Sequence, residues 1–118
     1  MRILIADDSD IVRRGVKALL SVESDWTVCG EARDGAEALQ KARELLPDVV
    51  LLDISMPGVS GLEVARRLRL EQPNAKLVVI SQHDPSLMLP RVFEVGGDAC
   101  LDKGRLAVDL VATIKNLK

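Results

Sequence analysis

Short apolar runs that each stop at a polar side chain recur along this chain, and their spacing constrains the fold more than any other feature. Val49 to Leu52 are four consecutive apolar residues, two of them β-branched. Such a run is short enough for a strand buried on both faces. It stops at Asp53; Pro57, Gly58 and Gly61 then impose a loop, and helical spacing resumes at Leu62. Ile3 to Ala6 stops in the same way at Asp7 and Asp8, and Leu77 to Ile80 stops at Ser81. The weaker run in DACLDKG stops at Lys103. A lone carboxylate at a strand exit is most commonly a turn or helix cap. Strand ends carrying carboxylates, a hydroxyl and an ammonium, brought to one edge, make a site instead.

Helical patterns fill the intervals. Ser9 or Asp8 caps a first helix whose apolar positions are Ile11, Val12, Val16, Leu19 and Leu20, with Gly15 inside it as a close-packing position would require. Trp26 to Ala32 reads as a second strand, with Trp26 as edge-strand packing. Asp34-Gly35 starts a second helix whose face is Ala38, Leu39, Ala42, Leu45 and Leu46, and Pro47 ends it. Leu62 to Leu70 form a third helix with Val64, Ala65 and Leu68 inward. Its arginines, Arg66, Arg67 and Arg69, point outward as a solvated face beside Glu63 and Glu71 rather than as a nucleic-acid patch. Asp84-Pro85 has the form of a cap and first-turn proline. Pro90, five residues on, means that this fourth helix either starts late, near Leu89, or bends. Gly96-Gly97 ends it, a fifth strand spans Asp98 to Asp102, and Leu106 to Leu117 form the last helix.

A strand followed by a helix, five times over, predicts a parallel sheet with helices on both faces and right-handed crossovers. Among doubly wound orders, 2-1-3-4-5, the flavodoxin-like one, suits five units of this size and sets strands one and three side by side at the switch point. Residues 1–118 make one domain. Cys29 and Cys100 fall on opposite edge strands, roughly 19 Å apart at ~4.8 Å per strand. A disulfide needs Cα atoms within about 7 Å, so both thiols are expected free.

Composition removes several function classes. With a net charge of -2 and charges evenly mixed, the chain does not grip nucleic acid by itself. Trp26 and Phe93 are the only aromatics, which leaves no base-stacking platform. Two cysteines without Cys-x-x-Cys or His-rich spacing make no zinc site. Met1 is followed by a charge, and no apolar stretch approaches ~20 residues, so neither a signal peptide nor a membrane span is expected, and a cytoplasmic location is.

Asp7, Asp8 and Asp53 converge at the switch point, and three crowded carboxylates repel one another unless a cation joins them. Mg2+ fits: it takes oxygen ligands and is typically held by one or two carboxylates plus substrate phosphate. Asp8 and Asp53 are the expected direct ligands, with Asp7 close by and the main-chain carbonyl of Ser55 as a further oxygen. Lys103 stands opposite, placed to pair with Asp53 or a phosphoryl oxygen, and Ser81 brings a hydroxyl to the same rim. An exposed carboxylate surrounded by Mg2+, lysine and hydroxyl suits phosphoryl transfer onto Asp53 as nucleophile.

Taken together in order, Asp7-Asp8, Asp53 with Met56-Pro57 and Gly61, Ser81 and Lys103 make the chain resemble the receiver domain of a bacterial two-component response regulator. The stretches SQHDP, VGGDACLDKG and EARDGAEAL most resemble regulators that carry a C-terminal LuxR-type helix-turn-helix DNA-binding domain. The resemblance implies that Asp53 receives its phosphoryl group from the phosphohistidine of a sensor histidine kinase. It implies that Asp7, Asp8 and Asp53 form the Mg2+ site, that Lys103 pairs with the phosphate, and that Ser81 is the switch hydroxyl. The same resemblance implies an output surface, or homodimer face, on the fourth helix, fifth strand and fifth helix. DNA would be reached only through a further C-terminal domain.

This chain departs from the family at that surface. Cys100 stands three residues before Lys103, where the family carries Tyr or Phe, and Gly104 follows the lysine where Pro or Asp is common. Ser55 and His83 hold the family positions that tune the lifetime of the acyl phosphate. Taken alone, His83 is an exposed loop residue and Cys100 a small core hydrophobe rather than a redox sensor. The chain is thus expected to be a phosphoacceptor with at most self-catalysed transfer and dephosphorylation, not an enzyme. A Mg2+-dependent aspartyl phosphatase is the weaker alternative, since it needs a second Asp where Ser55 stands. A receiver-like interaction module that is never phosphorylated is the other.

Overall fold

A computed structural model describes residues 1–117. Five strands and five helices alternate: β1 Arg2–Ala6, α1 Asp10–Leu20, β2 Thr27–Ala32, α2 Gly35–Leu45 and β3 Val49–Asp53. They continue as α3 Gly61–Glu71, β4 Lys76–Ser81, α4 Pro85–Glu94, β5 Ala99–Asp102 and α5 Leu106–Lys115, with a 3-10 turn at Lys103–Arg105. All neighbouring strands pair in parallel, in the order β2-β1-β3-β4-β5. This is the doubly wound order expected from the sequence, and β1 lies beside β3 with Ala6 opposite Leu52.

Alternate residues of the central strands supply two separate aliphatic cores. Leu4, Ala6, Val50, Leu52 and Leu77 face Ala38, Ala42, Val64 and Leu68 of α2 and α3. Ile3, Ile5, Val49, Leu51, Val78 and Ile80 face Val16, Leu20, Leu110 and Ile114 of α1 and α5. β3 is buried along its whole length, Asp53 included, which explains why its sequence is a continuous apolar run rather than an alternation. Each fully buried aliphatic side chain contributes about 1.5–3 kcal/mol, so a core without aromatics closes on number rather than on size.

Caps fix where the helices begin. Val12 N–H donates to Ser9 Oγ at 3.3 Å, Glu37 N–H to Asp34 Oδ1 at 2.8 Å and Glu63 N–H to Ser60 Oγ at 3.3 Å. Each cap places a strand-to-helix loop at the carboxyl edge of the sheet. The two cysteines are free, as their opposite strands require.

Several local readings are corrected. α4 begins at Pro85 and not near Leu89; Pro90 sits inside it and is exposed, so the unpaired Ser86 carbonyl can turn to water. Ile11 is 81% exposed, and the buried stripe of α1 is Arg13, Val16 and Leu20. Leu46 is an exposed left-handed C-cap rather than part of the α2 face. A Cβ on Gly15 would meet open space, so no close packing explains it. Arg69 turns back onto the fold: its guanidinium donates to the carbonyls of Gly96, Pro73 and Ala75 and to Asp98. Arg66 and Arg67 do lie outward and both bind Glu63, whose carboxyl they hold down at about 2.

Candidate functional site

Asp53 ends β3 and is 1% exposed. Its Oδ1 accepts the Ser55 N–H at 3.1 Å, and its Oδ2 lies 3.3 Å from Lys103 Nζ. Gly61 packs against it from behind: a Cβ there would lie 2.4 Å from the Asp53 carbonyl oxygen, so only glycine lets α3 start this close. Met56 is buried in the same loop.

Asp7 and Asp8 leave β1 on the neighbouring strand. One carboxylate oxygen from each of Asp7, Asp8 and Asp53 lies within 4.8 Å of the others, Asp8 being exposed and the other two buried. Asp7 is held at three of its four polar atoms. Its N–H donates to the Ala32 carbonyl at 3.0 Å, its carbonyl accepts from Arg13 at 2.6 Å, and its Oδ1 accepts the Ser9 N–H at 2.8 Å. The fourth, Oδ2, is buried without a hydrogen-bond donor. Lys103 Nζ lies 3.2 Å from it, a charge neighbour whose angle does not satisfy it as a hydrogen bond. An orphaned buried oxygen inside a carboxylate triad is what a divalent cation with oxygen ligands completes, so these residues fit a hard metal ion.

Burial pushes the Asp7 carboxyl above the usual carboxylate value; the Ser9 N–H and Lys103 pull it down, and Asp53 pushes it further up. Burial would favour a neutral Lys103, yet Asp7 and Asp53 outweigh it and hold the ammonium above the ordinary lysine value. Lys103 therefore bridges two carboxylates from two strands.

Ser81 ends β4, fully buried, and its Oγ accepts the His83 N–H at 3.0 Å, tying the hydroxyl to the β4–α4 loop. Its strand neighbour is Asp102, one residue before Lys103. Ser55 is exposed and engages Asp53 through its N–H. His83 is exposed. Cys100 is half-buried in a groove of about 690 Å³ shared with Asp84, Asp102, Arg105 and Asp109. Burial pushes its thiol up, which keeps it protonated.

Arg13 went unread in the sequence. It carries a charge yet is 5% exposed, and its signal is positional: Arg13, Val16 and Leu20 share one helical face.

A family model for the response regulator receiver domain matches residues 3–115. The chain belongs to this family. It is 37% identical to the response regulator GacA of Pseudomonas viridiflava over 115 residues, which cover 98% of this chain and 54% of that protein. Its fold matches the signal receiver domain of NarL from Mycobacterium tuberculosis with a TM-score of 0.89 at 34% identity, covering 98% and 93% of the two chains. A LuxR-family two-component response regulator from Aurantimonas matches with a TM-score of 0.90 at 32% identity, over 97% of this chain and 81% of that one. The chain spans about half the length of the curated relatives it matches. Among the described residues no helix is long and apolar enough to cross a membrane.

Proposed function

We propose that Asp53 accepts a phosphoryl group from a histidine kinase and that the resulting acyl phosphate switches an output surface. The observation that carries this reading is Asp53 itself, buried at the end of β3 with Lys103 at 3.3 Å and the Asp7 and Asp8 carboxylates gathered beside it. The Asp53 carboxylate attacks the phosphorus of a phosphohistidine. The new O–P bond forms as the P–N bond breaks, and the imidazole leaves with the electron pair and takes a proton from solvent. Asp7, Asp8 and Asp53 would hold Mg2+, which supplies charge neutralisation on the transferring oxygens. Lys103, already charged, pairs with a phosphoryl oxygen once Asp53 is phosphorylated. The phosphoryl group ends on the chain's own Asp53, so the chain acts as an acceptor, with at most self-catalysed transfer and dephosphorylation, rather than as an enzyme that turns over a substrate.

Phosphorylation adds about -1.5 to -2 charges and three acceptor oxygens. Ser81 can donate to one of them, and its bond to the His83 N–H would draw the β4–α4 loop along. The surface so affected is α4, β5 and α5, where Leu87, Phe93 and Val108 are exposed and suited to a second copy or to an output domain. With Cys100 where an aromatic lever would stand, transmission would run through the loop and α4. The likeness to a LuxR-family regulator supports a DNA-binding output in the full-length protein.

Incubation with acetyl phosphate and Mg2+, followed by intact mass, tests the reading. One added phosphoryl group is expected, absent with EDTA and absent in Asp53→Asn. No adduct on the wild type, or an adduct that survives in Asp53→Asn, would overturn it.

A further inference from the structure

The strongest unused feature is the charge buried under the site. Arg13 lies on the core-facing stripe of α1, and its guanidinium makes three bonds at once. It donates to the Asp7 carbonyl at 2.6 Å, to Glu31 of β2 at 3.1 Å, and to Asp10 in its own first turn. Glu31 is anchored in turn by Lys17 at 2.9 Å, and that pair and Arg13 hold its carboxyl below the usual range.

The Asp7 carbonyl belongs to the planar peptide that joins Asp7 to Asp8, so a bond to that oxygen fixes the plane. The plane sets the direction in which Asp8 leaves the chain, while the Ala32 and Ser9 bonds fix Asp7. We infer that Arg13 is the positioning residue of the acidic pair: it orients the Asp7–Asp8 peptide so that both carboxylates meet Asp53 at the spacing a divalent cation needs. This rests on the Mg2+-dependent reading above. The guanidinium meets Glu31, Asp7 and Asp10 through three different nitrogens, a planar spread that a lysine ammonium, with all its donors on one atom, does not reproduce.

Coulomb's law and positioning predict opposite signs here. Removing a positive charge beside three carboxylates would tighten cation binding, whereas losing the orienting bond weakens it. Partners behind metal ligands typically contribute 10–100-fold in affinity.

The test is calorimetric titration of Mg2+ alone into metal-stripped protein, with thermal unfolding in EDTA as the measure of fold. Arg13→Met and Arg13→Lys are each expected to raise the Mg2+ Kd about tenfold or more while still unfolding cooperatively well above the titration temperature. Equal or tighter binding in Arg13→Lys overturns the assignment, and that variant, which keeps the charge, decides the matter should Arg13→Met fail to fold. A fall in melting temperature with an unchanged Kd means that Arg13 only pins α1 to β2, which also overturns it. Wild-type protein that shows no Mg2+ binding overturns this inference together with the Mg2+ site on which it rests, while the acetyl-phosphate adduct tests the acceptor role of Asp53 separately; binding in the wild type with an unchanged Arg13→Lys overturns this inference alone.

Discussion

Asp7 is held on three sides by the protein, its remaining oxygen lies 3.2 Å from Lys103, and its carboxylate is gathered with those of Asp8 and Asp53. A group whose folded pKa lies above its unfolded value favours the protonated form in the fold. Its contribution is largest below the unfolded pKa and is lost as pH rises through the folded one. At neutral pH the ionised Asp7 is therefore a cost to the metal-free fold. Asp7→Asn keeps the shape, can still accept the Ser9 N–H, and mimics the protonated state. It is expected to stabilise the metal-free protein by about 1–2 kcal/mol in urea unfolding at pH 7, while weakening Mg2+ binding. Equal or lower stability would mean that the Lys103 contact outweighs burial and the repulsion from Asp53. The positions of Asp7, Asp53 and Lys103 were legible because each ends an apolar run. That Lys103 reaches both carboxylates was not, because strand order gives neighbourhood and side-chain reach decides contact.

At the scale of elements, two residues that read as incidental decide how helices sit. Arg69 crosses from α3 to the turn after α4, bonding Gly96, Pro73, Ala75 and Asp98, and Asp98 also accepts the Leu77 N–H at 2.8 Å. The backbone at Gly96 has φ +91, and a Cβ there would lie 2.5 Å from Arg69, so both the turn and the path of the arginine require glycine at this position. Arg69→Ala takes the guanidinium donor away from three carbonyls and leaves the Asp98 carboxylate with the Leu77 N–H. It is expected to cost about 2–3 kcal/mol in denaturant unfolding, without abolishing the acetyl-phosphate adduct on Asp53. Periodicity marked Arg69 as outward because it speaks for the Cβ direction and not for where a long side chain returns. Pro90 misled for the opposite reason. It is a strong helix breaker by rule, but the cost is bearable where the freed carbonyl meets water, and α4 is mostly exposed. Pro90→Ala is expected to stabilise the chain by about 1–2 kcal/mol and to slow amide exchange along α4. A loss of stability would instead assign Pro90 a rigidifying role.

For the molecule as a whole, the fold was legible because four apolar runs and one alternating stretch, with helical intervals, admit few windings, and the order of those windings brings the polar strand ends together. What stayed hidden is the layer beneath the site, since a buried arginine on a helical stripe has the same letters as an exposed one. The carboxylates above that layer make stability a function of metal. Burying Asp7 and Asp53 side by side with Asp8 sets three carboxylates against the one ammonium of Lys103, so the fold is expected to be less stable in EDTA than in Mg2+. At ten times its Kd, a ligand that binds only the folded state adds about 1.4 kcal/mol, or about 4–8 °C in Tm for a domain of this size. Thermal unfolding across a Mg2+ series should follow that logarithm in the wild type and flatten in Asp53→Asn. If the same rise appears in Asp53→Asn, the ion is acting on the general surface charge. If no rise appears in either, Lys103 already satisfies the carboxylates, and the site would then be a fixed salt-bridge cluster rather than one waiting for a metal.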